Sequence, residues 1–240
     1  MADEPRVALV TGASGTIGAA VARELAAAGL RIAAGFHRGG EAARNLAAEL
    51  PDALAVPLDV TDPAAVRAAF GKVAATMGPV TVLVNAAGLL RDRPLLRMSD
   101  DDWAAVLTTN LTGPFWCVRQ ALPSMIAAGY GRIVSVGSAA AAFGTPGQAN
   151  YCAAKAGLLA FTRSVARESG RYGVTANVVA PGLVESPLIA DIGEAARTGF
   201  ARRTATGSLV DARDVARAVR FCIETPALTG QSVDVDGGFG

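Results

Sequence analysis

Short runs of almost wholly apolar residues alternate along this chain with longer Ala-rich segments whose apolar positions recur at helical spacing. The apolar runs fall at residues 6–10, 30–36, 53–58, 80–84, 131–136, 173–179 and 231–235. The helical patterns cover about 17–28, 41–50, 63–77, 99–127, 148–169 and 211–224. Strand and helix taking turns predicts an α/β fold with a parallel sheet, because parallel neighbours need a crossover connection. Strands that lack polar alternation are expected where both faces of the sheet are covered. The pattern thus predicts a doubly wound sheet of about seven parallel strands, helices on both faces, in a single domain over residues 1–240. Boundary signals agree: Asp62-Pro63 offers a cap and a first-turn proline, Ser99 precedes three acids, and Gly78-Pro79 ends a helix. The one long irregular stretch, 181–209, is expected to be a functional loop rather than a spacer.

In an open parallel sheet, ligands bind outside the carboxyl ends of the strands. After the first run comes "TGASGTIG", with Gly12, Ser14, Gly15, Thr16, Ile17 and Gly18. A Gly-rich turn that opens a helix lets backbone approach a pyrophosphate at the helix N-terminus. After the second come His37 and Arg38, with no acid before Glu41. An acid there would favour NAD, whereas Arg suits a 2′-phosphate, so the expected cofactor is NADP(H). Asp59-Val60 follows the third run, Asn85-Ala86-Ala87-Gly88 the fourth, Ser138 the fifth and Pro181-Gly182 the sixth. Each alone is ordinary turn or cap chemistry. Together, at successive strand ends, they outline one site.

Composition narrows the chemistry. Basic and acidic residues nearly cancel, at 22 against 21, which gives no support to nucleic acid or an anionic membrane as partner. His37 is the only histidine, so hydrolytic triads and most zinc sites are disfavoured, and no metal is expected. Cys117, Cys152 and Cys222 are scattered and odd in number, as for buried thiols in a reducing compartment. No signal pattern opens the chain and no apolar run would span a bilayer; a soluble, cytoplasmic protein is expected.

Lysine occurs only at Lys72 and Lys155, and Lys155 stands four residues after Tyr151 in "NYCAAKAG". On a helix the two share a face. They are either an acid–base pair or a ring and a charge on an ordinary helix. With the strand-end features, they resemble the short-chain dehydrogenase/reductase superfamily, and within it bacterial 3-oxoacyl-acyl-carrier-protein reductases. The likeness lies in "AGLLRDRPLLRMSDDDWAAVLTTNLTGPF", "GQANYCAAKAGLLAFTRSVARE", "NVVAPGLVES" and "TGQSVDVDGG".

The resemblance implies a Rossmann-like fold, and reduction by NADPH of a 3-oxoacyl thioester, linked to an acyl carrier protein, in fatty-acid or related polyketide or pigment chain elongation. It implies Tyr151 as proton donor and Lys155 as the charge that lowers the phenol pKa and holds the nicotinamide ribose. Ser138 would bond the carbonyl oxygen, and Asn110 would hold a water linking Lys155 to solvent. Pro181, Gly182 and Val184 would carry the chain past the cofactor. A homotetramer is expected by the same likeness. Thr16 stands where the family usually has Gly, and Ala86 replaces an Asn. An acidic carrier needs a basic patch, for which Arg132, Arg163, Arg167 and Arg171 are candidates. Gly129 and Tyr172 fall where carrier-using relatives often have basic residues. Other ketone reduction, on acetoacetyl-CoA, a polyketide or a free carbonyl, is the close alternative. A non-catalytic nucleotide-binding regulator and a methyltransferase are the distant ones.

Overall fold

A computed structural model describes residues 6–186 and 193–239. Seven strands form one sheet: β1 (Val7–Thr11), β2 (Arg31–Phe36), β3 (Ala53–Pro57), β4 (Val80–Asn85), β5 (Gly131–Val136), β6 (Val174–Pro181) and β7 (Ser232–Val235). All pairings are parallel, in the order β3-β2-β1-β4-β5-β6-β7. The order reverses between β1 and β4, and a crevice opens there at the carboxyl edge. Each strand run expected from the sequence lies within a residue or two of its observed position.

The helices are α1 (Thr16–Ala27), α2 (Gly40–Glu49), α3 (Pro63–Met77), α4 (Asp100–Leu107), α5 (Gly113–Ala127), α6 (Ala140–Phe143), α7 (Ala149–Ser169), α8 (Glu194–Arg202) and α9 (Ala212–Glu224). Side chains set their starts. Asp62 accepts from the Ala64 amide beside Pro63, Ser99 from the Asp102 amide, and Asp211 from the Arg213 amide. Each such cap contributes about 1 kcal/mol.

Residues on β1 alternate between two cores. Leu9 packs with Val66, Phe70 and Val73 of α3 and with Cys117 and Met125 of α5. Ala8 and Val10 pack with Val21 and Leu25 of α1 and with Val215 and Val219 of α9. Both faces are therefore dry, and every residue of β6 is buried. Cys117 and Cys222 are buried and Cys152 partly so, all as free thiols. Among the described residues, no helix is long and apolar enough to cross a membrane.

The expected helix over 99–127 is interrupted. Thr108–Thr112 form one π turn between α4 and α5, with Asn110 fully buried inside it. Such turns break the regular ladder and turn a side chain inward. Two further helices, α6 and α8, lie where no helix was expected. Of the irregular stretch 181–209, residues 187–192 lie outside the described residues, and α8 occupies much of the remainder.

One expectation fails. Arg132 is only 8% exposed, so it cannot belong to a docking patch. It sits on β5 and donates to the carbonyls of Ile223, Gly131 and Gly173, capping the end of α9, while its guanidinium stacks on Tyr130. Carbonyls at a helix end need such donors, and an Arg can satisfy several at once. Arg163, Arg167 and Arg171 are exposed.

Candidate active site

The turn from β1 into α1 is shaped by backbone contacts. Gly12 has φ +66°, and a Cβ there would meet the Ala87 Cα at 2.8 Å. At Gly18 a Cβ would meet the Gly12 carbonyl oxygen at 2.3 Å. Neither clash can be relieved by turning a side chain, so both positions require glycine. Gly15 is less confined, with the Gly12 oxygen 3.4 Å from its Cβ position. It is the residue before α1 and caps no amide with a side chain, which leaves first-turn N–H groups for an anion. Thr16 begins the helix and stands outside the tight contact between Gly12 and Gly18. Ile17 packs on the α1-side core.

Side chains tie this turn to its neighbours. The Ser14 hydroxyl donates to the Arg38 carbonyl at 3.0 Å. Thr11 accepts from the amides of Ala86 and Ala87, both at 3.1 Å. At the end of β2, His37 Nδ1 lies 3.1 Å from an Asp59 carboxylate oxygen. The other Asp59 oxygen accepts from the amide and hydroxyl of Thr61. Burial opposes the charge on Asp59, but the Thr61 bonds and His37 outweigh it and hold the carboxyl below its usual range. Arg38 is exposed, and among the described residues its guanidinium has no partner. Val60 is buried, with its carbonyl against Gly113. Asn85 donates to Ser135 across β4 and β5, and among the described residues its buried side-chain oxygen has no partner. Gly88 lies beside Asn110, whose oxygen would be 3.3 Å from a Cβ there.

Across the switch point, Ser138 follows β5, and Tyr151 and Lys155 stand one turn apart near the start of α7. The Ser138 hydroxyl faces the Tyr151 phenol and acts to lower its pKa. Ser138 also accepts from the Ala140 amide at the start of α6. Lys155 is buried, donates to the Val136 carbonyl at 2.7 Å, and places its Nζ 5.5 Å from the Tyr151 ring centroid. Among the described residues Asn110 makes no direct hydrogen bond to Lys155. Its amide donates to the carbonyls of Leu89 and Val106, and its oxygen accepts from the Leu89 amide. It thereby fastens the segment after β4 to the π turn. Beside β6, the Pro181 carbonyl accepts from the Ala139 amide, the Gly182 amide donates to Val235, and Val184 is buried in a bridge to Val210.

Residues 6–197 match the family model described as short chain dehydrogenase. The chain belongs to that family. It is 39% identical over 242 residues to the 3-oxoacyl-[acyl-carrier-protein] reductase FabG of Escherichia coli, covering 98% of this chain and 97% of that one. It is 39% identical over 239 residues to the FabG of Vibrio cholerae, with 98% and 97% covered. The FabG of Staphylococcus aureus (strain Mu50) is 36% identical over 237 residues, with 96% of each covered.

This short-chain dehydrogenase is an oxidoreductase, and the family works with a nicotinamide cofactor. The β1 turn fits the pyrophosphate of such a group: a Cβ would fill the cradle at Gly12 and Gly18, and the N-terminal amides of α1 carry no side-chain cap.

Burial moves the proton affinities of Tyr151 and Lys155 in opposite directions. Burial pushes the Tyr151 phenol up to about 12; the Ser138 hydroxyl acts downward, and Asp92 and Cys152 act upward. Burial pulls Lys155 down to about 8. At neutral pH the bare pair is thus a neutral phenol and an ammonium. In this arrangement the Lys155 Nζ is turned toward Val136.

Several residues around this pair were missed in the sequence. Buried Asn150 donates to the carbonyls of Arg91 and Asp102 and accepts from the Tyr151 amide, fixing the start of α7. Gln148 donates to Asp92, which keeps a carboxylate near the phenol. The polar pair Gln148 and Asn150, just before Tyr151, was the available signal. Thr11 carried none beyond its place at a strand end.

Proposed function

We propose that the protein reduces a 3-oxoacyl thioester on an acyl carrier protein to the 3-hydroxyacyl thioester, using NADPH, in fatty-acid chain elongation. The observation that carries this reading is Ser138, Tyr151 and Lys155 meeting beside a glycine cradle, in a chain similar throughout to reductases of that name. Metabolically the enzyme works in the cytoplasm, as a homotetramer.

When bound, the nicotinamide supplies the hydride that the carbonyl carbon gains. The chain's own residues handle the oxygen. Ser138 donates to it as charge develops, and Tyr151, protonated and half-buried, transfers the proton. The tyrosinate left behind needs a cation. Lys155 is the one within reach, and its ammonium swings from the Val136 carbonyl toward the phenolate and the ribose hydroxyls. Asn110 acts by holding Leu89, so the floor of the nicotinamide site keeps its shape. Arg38, with His37 and Ser14, takes the 2′-phosphate. Arg163, Arg167 and Arg171 face the acidic carrier.

The test is NADPH absorbance loss with 3-oxoacyl-carrier and acetoacetyl-CoA substrates, repeated with NADH. Tyr151→Phe should lower turnover by about a thousandfold while NADPH still binds. Wild-type turnover in that variant refutes the proton-transfer role. Reduction of a free ketone but of neither thioester refutes the substrate.

A further inference from the structure

Phenylalanine is sparse here, at 8 of 240 residues, yet three of them meet at one place. Phe143 and Phe239 pack edge to face with centroids 5.8 Å apart, and Phe239 stacks on Phe200 at 6.1 Å. The Arg203 guanidinium covers the Phe239 ring at 4.3 Å. The three rings come from α6, from α8 and from the tail after β7, segments far apart in the chain.

Their position is set by the sheet. β5, β6 and β7 are neighbours, and all end at the catalytic edge. The Ala139 amide bonds Pro181, the Gly182 amide bonds Val235, and Phe239 follows four residues later. A continuous strip therefore runs from the turn that holds Ser138 to the tail. The tail is fastened in turn. The amides of Ala205 and Thr206 donate to Gly238 and Gly237, and Phe239 forms an antiparallel bridge with Thr204. Gly237 and Gly238 both have φ +70°, and a Cβ at Gly237 would meet the Thr206 hydroxyl at 2.6 Å. Glycines at both positions let the tail lie flat on the segment after α8.

The cluster is unfinished on one side. Phe143 is 57% exposed and stands five residues beyond Ser138, and its partners Phe200 and Phe239 are half-buried. A buried brace would hide that ring. An open aromatic face at the end of the short helix that follows Ser138 suits an apolar chain carried by the reacting carbonyl.

We infer that Phe143, Phe239 and Phe200 form the wall against which the acyl chain of the substrate lies, and that the enzyme selects thioesters with chains long enough to cover Phe143. This rests on the thioester-reductase reading above. The carboxyl-terminal tail is then part of the specificity apparatus, acting through Phe239 on the ring that touches substrate.

The experiment compares 3-oxodecanoyl and acetoacetyl thioesters of N-acetylcysteamine, which need no carrier. The readout is the ratio of kcat/KM between them, with a melting curve for each protein. Phe143→Ala should lower the long-to-short ratio about tenfold, mainly through KM of the longer substrate. Phe239→Leu keeps apolar volume while removing the ring stack, and should lower the ratio less. An unchanged ratio in Phe143→Ala overturns the inference. So does an equal fall for both thioesters with a lower melting temperature, which makes the trio a structural brace. Failure of the wild-type protein to reduce either thioester refutes the functional reading itself, a different outcome from an unchanged ratio.

Discussion

The two halves of the catalytic edge are built from different materials. Around β1, β2 and β4 the site is backbone: Gly12 against Ala87, Gly18 against the Gly12 carbonyl, and the bare amides of α1. Around β5, β6 and β7 it is side chains, from Ser138 and Tyr151 to the ring trio. A backbone surface fits a group common to many reactions, such as a pyrophosphate, and tolerates few changes. A side-chain surface can be altered one residue at a time. The division separates what any nicotinamide enzyme needs from what one substrate needs.

The strongest way to break this contrast is Gly18→Ala. A methyl group 2.3 Å from a backbone oxygen has no escape, and NADPH affinity, followed by fluorescence titration, should fall by about a hundredfold. Gly71→Ala, on α3 with open space around its Cβ, should leave affinity unchanged. Equal effects from the two would abolish the distinction.

Lys155 stands between the halves, and pH reads its burial. Its folded pKa of about 8 lies below the ordinary 10.5, so the unfolded chain holds this proton more tightly. Stability of the bare protein must then rise as pH climbs from about 8 toward 10.5. Tyr151 works the other way, but only above its ordinary value of 10, where the folded chain holds the phenolic proton up to about 12. Urea midpoints at about pH 7.5 and about pH 10 should show wild type gaining roughly 2 kcal/mol that Lys155→Met does not gain. The same gain in both proteins would place the lysine in water.

Within the nucleotide half, Arg38, His37 and Ser14 are the side-chain exceptions. Arg38→Ala should lower the NADPH-to-NADH ratio of kcat/KM by about tenfold, with NADH little affected. An unaltered ratio would assign the 2′-phosphate elsewhere. The smallest effect is expected from Arg163→Ala combined with Arg167→Ala. KM for the carrier-bound substrate should rise about threefold at low salt, and KM for the N-acetylcysteamine thioester should stay constant. A rise for both would remove these arginines from carrier docking.

The same contrast explains what could be read from the sequence. Strands buried on both faces announce themselves as apolar runs, and the glycine turn is visible because only glycine tolerates such contacts. Tyr151 and Lys155 were legible through their spacing and the scarcity of lysine. The π turn at Asn110 was not, since a one-residue widening leaves the helical pattern nearly intact. Four-residue α6 is too short to show a period, and α8 lies in a stretch with few apolar positions. Arg132 was misplaced because its type suggests solvent, whereas the open carbonyls of Ile223, Gly131 and Gly173 drew it into the interior. The ring trio depends on three segments converging, which no local pattern carries.

The burial of Lys155 has a practical corollary. The chain has two lysines, and the other, Lys72, is exposed in the second half of α3. Helices here run back from the catalytic edge of the sheet, so Lys72 lies toward the opposite edge. Of the two lysine side chains, Lys72 is therefore the one open to an amine-reactive reagent on the folded protein, at the edge away from the crevice.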